Sequence, residues 1–116
     1  MFKAYILSGS NLDQPLDQLQ EAKERIAARC GKILAASEIY ASPPWGYTEQ
    51  PDFLNQALVV ETILAPEALM QSLLQIEQDM GRIRARHMGP RRIDLDLLLV
   101  DQLTCDTPLL LLPHPR

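Results

Sequence analysis

Two aspartates inside an apolar stretch constrain this chain more than any other feature of its sequence. Residues 93–100 read IDLDLLLV and follow a glycine–proline turn signal, which predicts a β-strand from Ile93 to Val100. Because side chains alternate between the two faces of a strand, Asp94 and Asp96 would share one face, with Cα atoms about 6.6 Å apart. Leu98 and Val100 are expected on the same face as the aspartates. The opposite face would be entirely apolar, with Ile93, Leu95, Leu97 and Leu99.

Carboxylates in an apolar strand need compensation of their charge, since buried acidic groups are usually paired or bound to a metal. Residues 82–92 contain no acidic residue and hold five of the eight arginines of the chain: Arg82, Arg84, Arg86, Arg91 and Arg92. One interpretation is a structural lattice of Asp–Arg ion pairs at a sheet end. The other is a site in which the aspartates hold Mg²⁺ and the arginines surround a polyphosphate, because both kinds of group stabilise charge on a transferring phosphoryl group.

The composition excludes several classes of protein. With 116 residues, 47% of them apolar and 22% charged, the chain is expected to form one domain over residues 1–116. No apolar run approaches the roughly 20 residues of a membrane helix. Cys30 and Cys105 lack a metal-binding spacing, which indicates reduced thiols and a cytoplasmic location. The net charge is −4 and residues 82–92 carry +5, so the rest carries −9; this favours a small polyanion over nucleic acid as the partner.

Hydrophobic periodicity predicts the order strand, helix, strand, strand, helix, strand. The predicted segments are residues 3–8, a helix from Pro15 to the stop signal Gly31, Ile33–Tyr40, Asp52–Ile63, a helix from Pro66 to Gly81, and Ile93–Val100, with a short hairpin or edge segment over Leu103–Pro113. Leu16, Leu19, Ala22, Ile26 and Cys30 are expected on the apolar face of the first helix. With right-handed crossovers, this order favours an α+β, ferredoxin-like βαββαβ fold: a four-stranded antiparallel sheet with both helices on one face.

The opposite face of this sheet would carry Asp94, Asp96 and Asn55. Asn55 and Phe53 share one face of the third strand, where an amide and an aromatic ring suit a flat heterocycle. The segment before that strand, residues 41–51, contains three prolines and a glycine, which exclude regular structure. Its tryptophan, Trp45, either plugs the edge of the core or belongs to a ligand-binding loop, and long loops in small domains are more often functional.

The string Gly89-Pro90-Arg91-x-x-Asp94-Leu95-Asp96-Leu97 resembles the signature of the 6-hydroxymethyl-7,8-dihydropterin pyrophosphokinase family of folate biosynthesis. Further blocks that match in the same order cover nearly the whole chain: Gly9-Ser10-Asn11-Leu12, Ser42-Pro43-Pro44 with Gly46, Gln50-Pro51-Asp52-Phe53-Leu54-Asn55, Glu77 with Gly81-Arg82-x-Arg84, and Pro113-His114-Pro115-Arg116. The family transfers a pyrophosphoryl group from ATP to the hydroxymethyl oxygen of the pterin and releases AMP.

The resemblance implies a role for each matching residue. Asp94 and Asp96 would hold two Mg²⁺ ions, and Arg82 and Arg91 would act with them in catalysis. The ATP-binding residues would be Glu77, Arg82, Arg84, Arg91, His114 and Arg116, and the pterin-binding residues would be Ser42, Pro43, Pro44, Trp45, Phe53 and Asn55. The expected partners are ATP and 6-hydroxymethyl-7,8-dihydropterin, without nucleic acid or membrane, in a monomer or weak dimer.

Three features depart from the family pattern. Met88 stands where a tryptophan is usual, and Phe53 replaces a common tyrosine and would still stack on a ring. Family members usually continue beyond the position of Arg116 and supply another arginine and a second aromatic residue. The resemblance therefore implies a domain that is short at its C-terminus, with a core over residues 1–101 and an edge segment over residues 102–116.

Two alternatives remain open from the residues alone. The chain could be a binding module that holds ATP or pterin without turnover, for example as part of a larger protein. It could also be a different two-metal enzyme, such as a nucleotidyl transferase. That second alternative explains Asp94, Asp96 and the arginines but not the Ser42-Pro43-Pro44 and Phe53-Leu54-Asn55 blocks.

Overall fold

A strand–helix–strand unit occurs twice along the chain. The computed structural model describes residues 1–43, 49–81, 92–101, 105–106 and 111–112. Its elements are β1 (Phe2–Ser10), α1 (Pro15–Arg29), β2 (Lys32–Ala36), β3 (Tyr40–Ser42), β4 (Phe53–Thr62), α2 (Pro66–Asp79), β5 (Asp94–Val100), β6 (Cys105–Asp106) and β7 (Leu111–Leu112). Both helices begin with proline, whose fixed φ suits the first helical position.

The main sheet has the strand order β2-β4-β1-β5, with antiparallel pairing throughout. β3 extends the sheet beside β4 and is also antiparallel to it. β1 is central and has β4 and β5 as its two neighbours. This arrangement confirms the predicted ferredoxin-like fold, and β6 and β7 pair as the predicted hairpin.

The core lies between the helices and one face of the sheet, and we call the other side of the sheet the open face. Helix α1 contributes Leu19, Ala22 and Ile26, and α2 contributes Leu69, Leu73 and Ile76, all at most 1% exposed. The sheet, together with Ile93 just before β5, supplies the opposite wall of the core: Ala4, Ile6, Leu58, Val60, Leu95, Leu97 and Val100. Burial of these side chains is the main force that orients the sheet, because it removes apolar surface from water.

The prediction that Leu16 lies on the buried face of α1 is wrong. Leu16 is 58% exposed. At 3.6 residues per turn it lies about 90° from the centre of the stripe formed by Leu19, Ala22 and Ile26, at the margin of the apolar face. The buried stripe of α1 therefore begins at Leu19, about one turn later than the sequence pattern predicted.

The faces predicted for the last residues of β5 are wrong, because the strand contains a β-bulge. Leu97 is opposite Ile6, but Leu99 is opposite Tyr5, so Leu98 is an extra residue in the ladder. The extra residue reverses the alternation beyond it. Val100, predicted beside the aspartates, is fully buried in the core, and Leu99, predicted in the core, is only half-buried.

The predicted second strand, Ile33–Tyr40, is interrupted in the structure. β2 and β3 pair with β4 at separate places, and residues 37–39 between them are not in a strand. At the break the Ser37 side chain takes part in the ladder, because Ala57 N donates to Ser37 Oγ at 2.9 Å while Ser37 N donates to Ala57 O at 2.8 Å. A serine hydroxyl that replaces a backbone partner ends a regular strand.

Cys30 is a free, buried cysteine at the end of α1. Burial raises the pKa of its thiol, which keeps it protonated and unreactive at neutral pH. In the part of the chain that the structure describes, no helix is long and apolar enough to cross a membrane.

Candidate active site

The open face places three of the singled-out residues in one row across the sheet. The Cα atom of Gly9 in β1 is paired with that of Asn55 in β4 on one side and that of Asp94 in β5 on the other. Directly opposed residues of antiparallel strands direct their side chains to the same face. Asp94 and Asn55 therefore flank Gly9, about 10 Å apart at their Cα atoms, two inter-strand distances.

The acidic pair lies on this face as predicted. Asp94 and Asp96 are half-buried on β5, and Leu95 between them is buried in the core. Within the described residues no group of three or more histidine, cysteine or acidic side chains could hold a metal. Two carboxylates fit Mg²⁺ nonetheless, because this ion is usually bound through one or two carboxylates together with substrate phosphates and water.

Glu77 supports the strand that carries the aspartates. Its carboxylate, in the last turn of α2, is 3% exposed, and its Oε2 accepts a hydrogen bond of 2.6 Å from the backbone amide of Leu95. Leu95 lies between the two aspartates, so this bond fixes the backbone from which both acidic side chains project. The predicted contact of Glu77 with ATP stays a prediction.

Asn55 is held at the other end of the row by the neighbouring strand. It is 8% exposed, and its Nδ2 donates to Ser42 Oγ at 2.8 Å and approaches the carbonyl oxygens of Tyr40 and Phe53 at 3.3 and 3.5 Å. Ser42 lies directly opposite Phe53 in the ladder of β3 and β4. The structure thus brings Ser42, Phe53 and Asn55 together, with Pro43 exposed just beyond β3.

Asn11, which follows β1, is a structural residue of this site to which the sequence analysis assigned no role. Its side chain is 3% exposed and donates from Nδ2 to Gln50 Oε1 at 2.8 Å and to the Pro51 carbonyl at 3.0 Å. These bonds fix the chain just before β4, next to Phe53 and Asn55. The only signal in the sequence was that both Asn11 and Gln50 belong to blocks that resemble the family.

Arg92 also has a contact that sequence reasoning missed. Its Nε and Nη2 donate to Asp13 Oδ2 at 3.0 and 2.7 Å, and its Nη1 donates to the Met80 carbonyl at 3.4 Å. Gly81 lies beside it with φ at +79°, a backbone conformation that residues with a side chain rarely adopt, so glycine suits this position. This arginine therefore joins the end of α2 to the turn after β1, and its partner is Asp13.

Several predicted site residues lie outside the described residues, so their roles stay predictions. Two of them belong to the proline-rich loop, three to the arginine-rich segment and two to the C-terminal segment: Pro44, Trp45, Arg82, Arg84, Arg91, His114 and Arg116.

An acidic pair and a polar–aromatic cluster on the open face of a ferredoxin-like sheet fit a small α+β transferase of phosphoryl groups. The comparison with known families gives the particular one. Residues 5–116 match the model of the family 7,8-dihydro-6-hydroxymethylpterin-pyrophosphokinase (HPPK), and the chain belongs to this family. The family uses ATP and magnesium.

Curated relatives agree with this assignment over nearly the whole chain. The 2-amino-4-hydroxy-6-hydroxymethyldihydropteridine pyrophosphokinase of Methylorubrum extorquens is 41% identical over 115 residues, which are 98% of this chain and 73% of that protein. The enzyme of the same name from Pseudomonas aeruginosa is 39% identical over 115 residues, 97% of this chain and 70% of that protein.

Solved structures support the fold independently. A crystal structure of an HPPK-DHPS in complex with substrates matches 90% of this chain and 28% of that longer chain, with a TM-score of 0.69 and 18% sequence identity. At this identity the match is evidence for the fold alone.

We predict that Glu77→Ala destabilises the protein by about 1–3 kcal/mol, because it leaves the buried Leu95 amide without its acceptor. Glu77→Gln, which keeps an oxygen at the same reach, should recover part of this loss. Urea unfolding monitored by circular dichroism measures both, with Glu67→Ala on the exposed first turn of α2 as the control. Equal stability of Glu77→Ala and the control would contradict the supporting role.

Proposed function

We propose that this chain transfers the pyrophosphoryl group of ATP to the hydroxymethyl group of 6-hydroxymethyl-7,8-dihydropterin, giving AMP and the pterin diphosphate in folate biosynthesis. The observation that carries the proposal is the row across the open face. It sets a pair of carboxylates suited to a magnesium–nucleotide complex about 10 Å from an amide and an aromatic ring suited to a flat heterocycle. Family membership supplies the identity of the two substrates.

Asp94 and Asp96 would hold the magnesium, and we propose two ions per site. When bound there, the metal neutralises charge on the phosphate oxygens of ATP. The carboxylates suit this task because they leave β5 on the same face and their backbone is fixed by Glu77. We assign Arg82 and Arg91 to the same phosphates in catalysis, and Arg84, Glu77, His114 and Arg116 to ATP binding, on the strength of the motifs that they match.

The pterin would bind on the side of Asn55. Phe53 would stack on the ring, Asn55 would hydrogen-bond its edge, and the segment from Ser42 to Trp45 would line the remaining edge. The contacts that support this placement are those that hold the cluster rigid, from Asn55 Nδ2 to Ser42 Oγ and from Asn11 to the Gln50 side chain and the Pro51 carbonyl. A rigid site loses less conformational freedom when a ligand binds.

The reaction forms a bond between the hydroxymethyl oxygen and the β-phosphorus of ATP and breaks the bond from that phosphorus to the oxygen bridging to the α-phosphate. AMP leaves with that oxygen, and the hydroxyl proton is released. No protein nucleophile is required, since holding both reactants in line and neutralising charge account for most of the rate enhancement in phosphoryl transfer. We propose that the domain over residues 1–116 performs this as a monomer or weak dimer.

We expect Asp96→Asn to lower the rate of pterin-dependent AMP release by on the order of 10²-fold or more, because it removes one anionic ligand of the metal. The assay measures AMP from Mg–ATP with and without 6-hydroxymethyl-7,8-dihydropterin. Asp17→Asn, an exposed acid in the first turn of α1, is the matched control and should keep the wild-type rate.

A near-normal rate in Asp96→Asn would remove the metal role that we assign to this pair. In the wild type, pterin binding without AMP release would indicate a binding module, and release of pyrophosphate instead of AMP would indicate a nucleotidyl transferase.

Asn55→Ala should weaken pterin binding by roughly tenfold while it leaves ATP binding unchanged, because it removes a hydrogen-bonding group from one end of the row only. Isothermal titration calorimetry with each substrate tests this, with the exposed amide variant Gln20→Ala as the control. Unchanged affinity for the pterin, or an equal loss for both substrates, would count against the assignment.

A further inference from the structure

Gly9 occupies the middle of the site and is not among the residues proposed to bind ATP, magnesium or the pterin. It is buried near the end of β1, directly between Asp94 and Asn55 in the row across the open face. It is also part of the Gly9-Ser10-Asn11-Leu12 block, which contains Asn11, the residue that fixes the chain before β4. The position between the Asp94–Asp96 pair and Asn55 thus carries no side chain.

The backbone at this position does not require glycine. Gly9 is in a regular strand, paired on both sides, and its φ is not among the positive values of the described glycines, which occur at Gly31 and Gly81. An alanine could adopt the same extended conformation without strain. The reason for glycine must therefore lie in the space above the backbone.

That space borders the carbonyl oxygen of the Asn55 side chain. A Cβ atom built on Gly9 would be 3.1 Å from Asn55 Oδ1 and 3.7 Å from Phe53 Cδ1. The first distance is shorter than ordinary van der Waals contact, and Asn55 has little freedom to yield because its Nδ2 is held by Ser42 and faces two carbonyl groups. A methyl group on Gly9 would thus press against the oxygen of Asn55 and lie in van der Waals contact with the ring of Phe53.

The orientation of Asn55 also decides what it can offer a ligand. Its Nδ2 donates to groups of the protein, and Oδ1 accepts no hydrogen bond from any residue that the structure describes. This oxygen, on a side chain that is 8% exposed, is an acceptor that lies beside the empty position over Gly9. A ligand N–H that reaches Oδ1 has to approach through this space.

We propose that Gly9 is a specificity-determining residue of the site: its missing side chain forms the floor on which the N–H edge of the heterocycle meets Asn55 Oδ1 and the ring meets Phe53. The proposal rests on the proposed function and deepens it. On this floor the heterocycle lies flat on the sheet, and a substituent that extends along the row toward Asp94 faces the acidic pair with no side chain in its way.

The test compares two glycine-to-alanine variants, Gly9→Ala and Gly31→Ala. Gly31 lies before β2, and a Cβ atom there would be 2.0 Å from the Glu61 carbonyl oxygen, so this variant loses stability without altering the row. Each variant and the wild type are titrated with 6-hydroxymethyl-7,8-dihydropterin in the presence of Mg²⁺ and α,β-methylene-ATP, and separately with Mg²⁺ and the nucleotide analogue alone. Thermal unfolding gives the midpoint temperature of each.

Gly9→Ala should raise the Kd for the pterin by about 10–200-fold, the range that one misplaced methyl group produces in a packed site. Its Kd for the nucleotide analogue should stay within about twofold of wild type, and its midpoint temperature should fall less than that of Gly31→Ala. Gly31→Ala should show the reverse: a lower midpoint temperature and, below it, wild-type affinity for the pterin.

Wild-type pterin affinity in Gly9→Ala, or parallel loss of pterin and nucleotide affinity, would overturn the role of Gly9 while the proposed function stood. If the wild-type protein itself bound no pterin and released no pterin-dependent AMP, the proposed function and this inference would both be wrong.

Discussion

The pairing of β1 with β4 on one side and β5 on the other is the constraint on which the rest of this structure depends. It places Gly9 opposite both Asn55 and Asp94, although these two residues are far apart in the sequence. The register matters as much as the pairing, because a slip of one residue would turn every side chain of a strand to the other face. Burial of Ile6, Leu58 and Leu97 against the helices fixes that register, since a slip would expose them to water.

The polar groups around the row act mainly on the backbone. Glu77 holds the Leu95 amide between the aspartates, and Asn11 holds the Pro51 carbonyl before β4. Each reaches a neighbouring element from a buried position. Both contacts hold the backbone in place beneath the side chains that we propose bind substrate. A site that acts by positioning its reactants needs side chains held in this way.

The sequence predicted those parts of the site that follow from local periodicity. Alternation in β5 and β4 was enough to place Asp94, Asp96, Phe53 and Asn55 on one face, and the hydrophobic pattern of both helices led to the fold. The same alternation predicted the wrong faces for Leu99 and Val100. The bulge at Leu98 arises from the pairing of β5 with β1 and cannot be recognised in the sequence of β5 alone.

The remaining contacts could not be predicted because they join distant segments. Asn11 and Gln50 are 39 residues apart, and Arg92 and Asp13 are 79 apart, so both pairs exist only once the strands have packed. The arginine-rich segment illustrates this limit of local reasoning. Its composition left two interpretations open, ion pairs with Asp94 and Asp96 or a polyphosphate site, and neither predicted that the last arginine of the segment pairs with Asp13 after β1.

A crystal structure of the protein with Mg²⁺, α,β-methylene-ATP and 6-hydroxymethyl-7,8-dihydropterin tests the central claim most directly. The account predicts cation density bound by the carboxylates of Asp94 and Asp96, with the pterin ring on Asn55 across Gly9 on the same face of the sheet. Carboxylates bound only to guanidinium groups with no cation between them, or a pterin bound away from this row, would contradict it.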